Sequence, residues 1–422
     1  MKRFLDNIME NAAYKRVMSN MLSLFSLQGL TYILPLITFP YLTRVLGPGN
    51  YGLIAFATAF IGYFQLFTDY GFNLSATREI SLNREDKRKV SEIFSSVMVT
   101  KTLLMIISFI IMSIVVFSFD KFRSNWILYF FTFGLVIGSL LMPSWFFQGM
   151  ERMKYISMLN IGTLLIYTAS IFIFIRQASD YIYVPLINSI GSITIGIVAL
   201  NIIRKDFGVN FILPSTKDIK YQMHKGWDLF ISTLGISLYT TSNTFILGLF
   251  VSSTIVGYYS VAETLMKALQ GLISPISQSI YPYFSKLQSE NSLRAKSELK
   301  KILVVIGVLT LTLAVVLVFC APLIIKILAG SKYLHSIPLL QVLVFIVFAV
   351  GVNNILGIQG LVAFGYEKYF SKIVIFAGLL HLVILISLIF ILGSLGAAIA
   401  VVTTELIICV LEYIVLRRLK IL

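Results

Sequence analysis

The chain has 422 residues, 58% of them hydrophobic and only 13% charged, with a formal net charge of +15. Soluble domains carry about 25% charged residues, so a mean hydropathy of +0.89 excludes an ordinary globular protein and implies an all-α integral membrane protein. At ~20 apolar residues per spanning helix, twelve spans would take roughly 240 residues, which leaves no room for a separate soluble catalytic domain.

The basic excess does not imply a nucleic-acid partner, because a binding patch needs a folded polar surface to carry it. The two cysteines, Cys320 and Cys409, lie in apolar runs, so neither a disulfide framework nor a cysteine zinc site is expected. The opening MKRFLDNIMENAAYKRVMSN stays polar for too long to be a cleavable signal peptide. The first span is expected to act as an uncleaved anchor.

Formal charges are costly at the bilayer centre, so charge-free stretches mark the spans. The first six are expected at 17–43, 45–68, 102–119, 124–150, 155–175 and 181–203. The longest polar interruption, 204–227 with Pro214, follows and reads as a linker between halves. The run 229–262 is too long for one helix; it holds span seven, a turn near 251–254 and the start of span eight, which continues through Lys267 to about Tyr283. Span nine is expected at 302–325, span ten within 337–362, and spans eleven and twelve within 373–404, broken at Leu392, Gly393 and Ser394. The domain reading is therefore a six-helix bundle over 1–203, a linker over 204–227 and a second six-helix bundle over 228–422.

Placing the N-terminus in the cytoplasm puts 26 of the 34 Lys and Arg residues on the inside. The positive-inside rule then sets both termini and the linker in the cytoplasm. A shift of 205 residues lays Gly52 on Gly257, Gln65 on Gln270, Asp69 on Ser274 and Asn73 on Gln278. It also pairs Thr58 with Glu263 and Gly62 with Lys267, so that each half carries a mainly polar stripe at helical spacing. This is the internal symmetry expected of transporters, and the two bundles read as pseudo-symmetric.

No nucleophile elbow, HExxH or phosphate-binding loop is present, and the three histidines are far apart, so no catalytic residue is assigned. The informative residues are the intramembrane charges Asp69, Lys101, Glu263, Lys267 and Glu405, each costing at least ~2.5–3.5 kcal/mol alone. Glu263 and Lys267 stand four apart in the favourable helical order and could simply neutralise each other; the stripe continues beyond them through Gln270 and Gln278. Lys101 could snorkel to the headgroups, and Arg78 could be an ordinary cytoplasmic anchor. Arg44 lies on the outside, where few cations are expected. His381 and Glu405 could relay protons, or His381 could be a satisfied interior histidine. Proline interrupts spans one, four, six and eight at Pro35, Pro40, Pro143, Pro185, Pro275 and Pro282, and Gly351, Gly357, Gly360 and Gly365 thin span ten.

Three segments carry a family resemblance: YLTRVLGPGNYGL at 41–53, DYGFNLSATREIS at 69–81 and PSWFFQGMERMKY at 143–155. With twelve spans, they resemble the bacterial polysaccharide flippases, the O-antigen unit exporters of the MATE-like multidrug, oligosaccharidyl-lipid and polysaccharide exporter superfamily. The resemblance implies a V-shaped pair of six-helix bundles with helices one, two, seven and eight around a cationic cavity. It further implies an inner-membrane protein that moves an undecaprenyl-diphosphate-linked oligosaccharide from the cytoplasmic to the periplasmic leaflet, among membrane lipids and beside a polysaccharide polymerase and chain-length machinery.

Matched to that family's cavity, Lys267 is the first candidate for the diphosphate, followed by Arg44, Arg78 and Lys101. Gln65, Asn73, Gln270 and Gln278 would meet the sugars. Asp69, Glu263, Glu405 and His381 are candidates for a coupling ion, a proton or sodium; no cofactor and no metal are implied. A cation-coupled multidrug exporter of the same architecture is the alternative, and a membrane scaffold without transport would leave the buried charges unexplained. The topology is tested by reporter fusions at Lys205 and after Leu422, both expected to score as cytoplasmic; a periplasmic signal at either overturns it.

Overall fold

A computed structural model describes residues 12–271, 280, 284 and 286–422, with side chains from Leu34 onward apart from Leu36. The described residues are helical and contain no strand. Nine helices among them are long and apolar enough to cross a membrane. Large apolar side chains face outward on them, among them Phe319 at 80% and Phe390 at 70% exposure, a surface that hydrocarbon solvates and water does not.

Helix α1, Ala12–Asp69, bends once at Gly47 (φ 72, ψ 171). Only glycine takes that conformation without strain, and Pro48 then starts the second limb with a preset φ. The two expected spans thus join at Gly47, a few residues beyond the anticipated boundary. A second break follows at Tyr70 (φ 45) and Gly71 (φ 76), before α2, Phe72–Leu82. Helix α3, Lys87–Ser118, begins where the Asp86 carboxylate accepts from the backbone N–H groups of Arg88 and Lys89. After the short α4, Asp120–Arg123, come α5, Trp126–Leu141, and α6, Ser144–Gly149, separated at Met142 and Pro143 as expected of the proline. Then follow α7, Met153–Phe174, and α8, Tyr183–Asp206. Pro185 does not interrupt α8; it occupies the first turn, where its missing N–H costs nothing.

Helices α9, Thr216–Thr240, and α10, Ser242–Phe250, are separated at Thr241, a break with no proline or glycine to announce it. Helix α11, Ser253–Gly271, starts after the expected turn. The continuation of its stripe, Ser274 and Gln278 with Pro275 and Pro282, lies outside the described residues. Helix α12 is Ser292–Leu328, followed by α13, Ile337–Leu343, and α14, Phe345–Asn353. Residues Asn354–Val362, in the glycine-rich part of span ten, form a π-helical segment. Helices α15, Glu367–Leu392, and α16, Ser394–Arg418, meet at Gly393 (φ 58), where the sequence placed the break.

The chain divides into two compact units, Leu34–Ser237 and Leu238–Leu422, the latter with the chain up to Ile33. The first part of the expected linker runs along α3. There the backbone N–H groups of Asn210 and Ile212 donate to the hydroxyls of Ser91 and Ser95 at 3.2 and 2.9 Å.

All three resemblance segments build the first unit. Tyr41 and Asn50 donate to the carbonyls of Ile175 and Ala178 at 2.6 and 2.8 Å, fastening the Gly47 elbow to the α7–α8 connection. Trp145, Phe146 and Phe147 are fully buried against a core that includes Phe72 and Ile80. The Thr77 hydroxyl donates to the Trp145 carbonyl at 3.1 Å, and Arg84 grips Glu151 at 2.6 and 2.7 Å. That guanidinium holds the exposed Glu151 carboxyl below its ordinary range.

Helices α5 and α8 approach closely enough that a Cβ on Gly138 would come within 2.5 Å of Ser192 Cβ, and one on Gly196 within 2.6 Å of Leu141 Cβ. Gly138→Leu and Gly196→Leu should each destabilise the protein by about 1–3 kcal/mol through overpacking. Gly62→Ala, with nothing within 4 Å of the added carbon, should be neutral or stabilising. Thermal unfolding in detergent reads the contrast, and equal effects at all three positions would refute the close contact.

Candidate functional site

Each unit carries an ion pair with one largely buried partner. In the first, Asp69 ends α1 and receives the Lys101 ammonium from α3 at 2.8 Å, with the Ser139 hydroxyl of α5 donating to the same oxygen at 3.3 Å. The Lys101 side chain is 2% exposed. Snorkelling to the headgroups is thereby corrected: the stem points inward because Asp69 offers a counter-charge there. As a substrate contact, Lys101 is already engaged.

Asn73 is exposed on α2, and the turn at Tyr70 and Gly71 takes it off the helix that carries Gln65 and Asp69. The five-position stripe of the sequence therefore stops at Asp69. Arg44 is exposed on the first limb of α1, three residues before Gly47.

In the second unit Lys267 meets Glu263 at 3.0 Å on α11, and the other Glu263 oxygen accepts from the Thr244 hydroxyl of α10 at 2.8 Å. Both carboxylate oxygens are satisfied, while the Lys267 side chain remains 52% exposed. Gln270 is half-buried one turn on. His381 is fully buried, its ring nitrogens 2.8 Å from Thr404 Oγ1 and from Asn243 Oδ1, the surroundings of a satisfied interior histidine. Glu405 accepts from Asn353 Nδ2 at 2.6 Å.

Within the first unit, a recess of about 750 Å³ opens between α2, the start of α3 and the start of α9. Arg78, Lys89 and Lys225 supply its cations, and Glu79, Glu92 and Asp218 its carboxylates. The carboxylates are all occupied. Gln222 Nε2 donates to Glu79 at 2.9 Å, Arg88 and Lys89 pair with Glu92, and Ser215 donates to Asp218 through both hydroxyl and backbone N–H. Those Ser215 bonds hold the exposed Asp218 carboxyl below its ordinary range, and the Glu79 carboxylate pushes the Tyr221 phenol up. Lys89 is paired and Lys225 lies 5.5 Å from the Tyr221 ring centre. Arg78 enters no ion pair among the described residues and is the cation left for a ligand. Leu74, Leu82 and Leu213 form an exposed apolar margin.

The recess depends on residues no short sequence signal announces. Glu79, Gln222 and Asp218 come together only because the linker doubles back along α3. Glu412, fully buried on α16, was missed for another reason: the last span was read as ending at Thr404, although Glu405 and Glu412 are seven residues apart and share one helical face.

The family described as polysaccharide biosynthesis protein matches residues 17–288. Two relatives named "Putative O-antigen transporter" match almost the whole chain. One, from Escherichia coli (strain K12), is 34% identical over 96% of this chain and 97% of its own length. The other, from Shigella dysenteriae, is 28% identical over 92% and 97%. Among solved structures, the inward closed conformation of the lipid II flippase MurJ has a TM-score of 0.77 at 15% identity, covering 93% of this chain and 87% of that one. An inward-facing multidrug resistance MATE family transporter has a TM-score of 0.73 at 13% identity, covering 92% and 94%. These two likenesses establish the MATE-like fold.

The Asp69–Lys101 pair gives a direct test. Lys101→Met should destabilise the protein by about 3–5 kcal/mol, because it strands Asp69 without its counter-ion. Asp69→Asn/Lys101→Met together should recover most of that loss. A double variant no more stable than the single one would show that the two charges do not depend on each other.

Proposed function

The chain belongs to the polysaccharide biosynthesis protein family, and from that premise we propose that it flips undecaprenyl-diphosphate-linked oligosaccharide repeat units across the inner membrane. Two six-helix bundles, twelve spans in all with both termini cytoplasmic, alternate access to a midplane path, driven by a coupling ion. The recess around Arg78 carries this reading. A diphosphate leaving water needs cationic donors to replace its hydration, sugars need amide and hydroxyl partners, and a lipid tail needs an apolar margin. Arg78 supplies the cation, the Gln222 amide oxygen, without a donor among the described residues, an acceptor, and the three leucines the apolar margin. The positive-inside pattern sets that recess on the cytoplasmic side, where the unit would load. Lys267, half exposed beside its own counter-ion, is the candidate for a later contact along the path. The names of the relatives support export of an O-antigen precursor over export of drugs.

In a deletion strain without a paralogue, the lipid-linked unit should still be made but remain in the cytoplasmic leaflet, with surface polysaccharide lost. Arg78→Ala should lower periplasmic exposure by about ten- to a hundredfold, the range of one charge-assisted hydrogen bond of ~1.5–3 kcal/mol, with protein level unchanged; Arg78→Lys should keep part of it. Leaflet-resolved labelling of the unit checks both. Normal exposure in the deletion strain, or failure to make the unit at all, overturns the flippase reading.

A further inference from the structure

Every interior charge described above has a partner except one. Glu412 is 0% exposed, and neither carboxyl oxygen has a hydrogen-bond partner among the described residues. The site is shaped for the group. A Cβ on Gly357, in the π-helical segment, would fall on Glu412 Oε1 and on the Phe370 ring, so a larger residue there would displace the carboxyl or the ring. The neighbouring Asn353 donates through Nδ2 to Glu405, and its own Oδ1 is a second buried acceptor with no donor among the described residues. Three oxygens are thus buried with no donor among the described residues.

Among the described residues, the titratable groups that bear on Glu412 are Glu405 and Cys409 from its own helix and Tyr239 from α9. The π segment presents Gly357 and α15 presents Phe370. None of these is a cation. An ionised carboxylate here would face several kcal/mol of uncompensated desolvation, plus repulsion from Glu405. Glu405 and Glu412 lie about 10 Å apart along the helix axis at 1.5 Å per residue, too far to chelate one ion. Among the described residues no group of three or more His, Cys, Asp or Glu converges as a metal site. One buried carboxyl facing a surplus of acceptors matches a single proton.

We infer that Glu412 is a proton-binding site of the second unit, loaded while the π-helical segment lies against α16 and emptied to water only when that segment withdraws. This rests on the transport reading for its purpose, since it names the coupling ion as a proton, but the binding itself does not need a substrate. Because π-helical turns inside membrane helices are rare and concentrate at functional places, the segment with Gly357 is the movable wall. Glu405, already bonded to Asn353, is the nearest carboxyl to receive or relay the proton.

The test uses the full-length purified protein. Difference infrared spectroscopy at pH 7 should show the carbonyl stretch of a protonated carboxyl that is lost in Glu412→Gln and retained in Glu405→Gln. Gln keeps the shape of the neutral acid, so the variant should fold; equal thermal midpoints for it and the wild type confirm that. Adding sodium at fixed pH should leave the band unchanged. A band absent from the wild type, one unaffected by Glu412→Gln, or one displaced by sodium overturns the proton site.

In reconstituted vesicles Glu412→Gln should slow leaflet exchange of the lipid-linked unit at least tenfold and abolish its dependence on a pH gradient. Unchanged exchange would make the proton merely structural and overturn the coupling. If the wild type moves no lipid-linked unit while the infrared band behaves as expected, the substrate reading fails and the proton site stands.

Discussion

An ionised group in hydrocarbon is stable only beside something that answers its charge, and this requirement organises the interior. Lys101 has a long apolar stem and could have reached the headgroups. It turns inward because Asp69 sits at the end of α1, where the chain breaks at Tyr70 and Gly71, and needs a counter-ion there. Ser139 joins from α5, so one acid ties three helices of the first unit together. Glu263 repeats the arrangement with Lys267 and Thr244. A buried pair of this kind adds little net stability over an apolar substitute. What it does is forbid alternatives, since each partner alone is strongly unfavourable and the helices that carry them must keep their register.

The segments that resemble a transporter family are largely construction, although the one at 69–81 also carries Arg78. PSWFFQG buries three adjacent aromatic residues and ends on Gly149, where a Cβ would come within 2.6 Å of Ile80 Cβ. DYGFNLSATREIS supplies the left-handed break and the helix that packs on it. GPG supplies the elbow. These positions tolerate few residues because they require a positive φ or a close approach of backbones, which is why they stand out in a sequence. Groups that meet substrate have no such geometric fingerprint, and Arg78 looks like any cytoplasmic arginine until Glu79, Glu92 and Asp218 are each seen to be occupied.

That contrast explains what was legible. Spans, the Gly393 break and the turn before Ser253 follow from hydropathy and from glycine and proline chemistry, all local. The i,i+4 pair of Glu263 and Lys267 was equally local. The Asp69–Lys101 pair joins residues 32 positions apart, and the Gln222–Glu79 bond joins residues 143 apart. Neither has a spacing to read. The break at Thr241 has no chemical marker, and the polar composition of the linker does not announce its two hydrogen bonds to α3. Charge-free runs alone end at Thr404, whereas the spanning helix continues through Glu405 and Glu412 to Arg418.

Opposite charges held together keep an interior neutral whatever its surroundings do, so Asp69 with Lys101 and Glu263 with Lys267 are suited to staying as they are. A lone buried acid is different, for its charge is fixed by whether a proton is present, and its preferred packing follows. When neutral, Glu412 can lie against Gly357 and Phe370; when ionised, it demands water or a donor that this packing denies. The free-energy gap between these two states acts on a stretch of the second unit whose helix is π-helical. A π-helical turn holds one residue more than an α-helical turn, and shifting that extra residue by one position changes which side chains face α16 without unfolding the span. Charge on Glu412 and the register of 354–362 are therefore coupled by packing alone, which gives a helical bundle a means of converting protonation into movement.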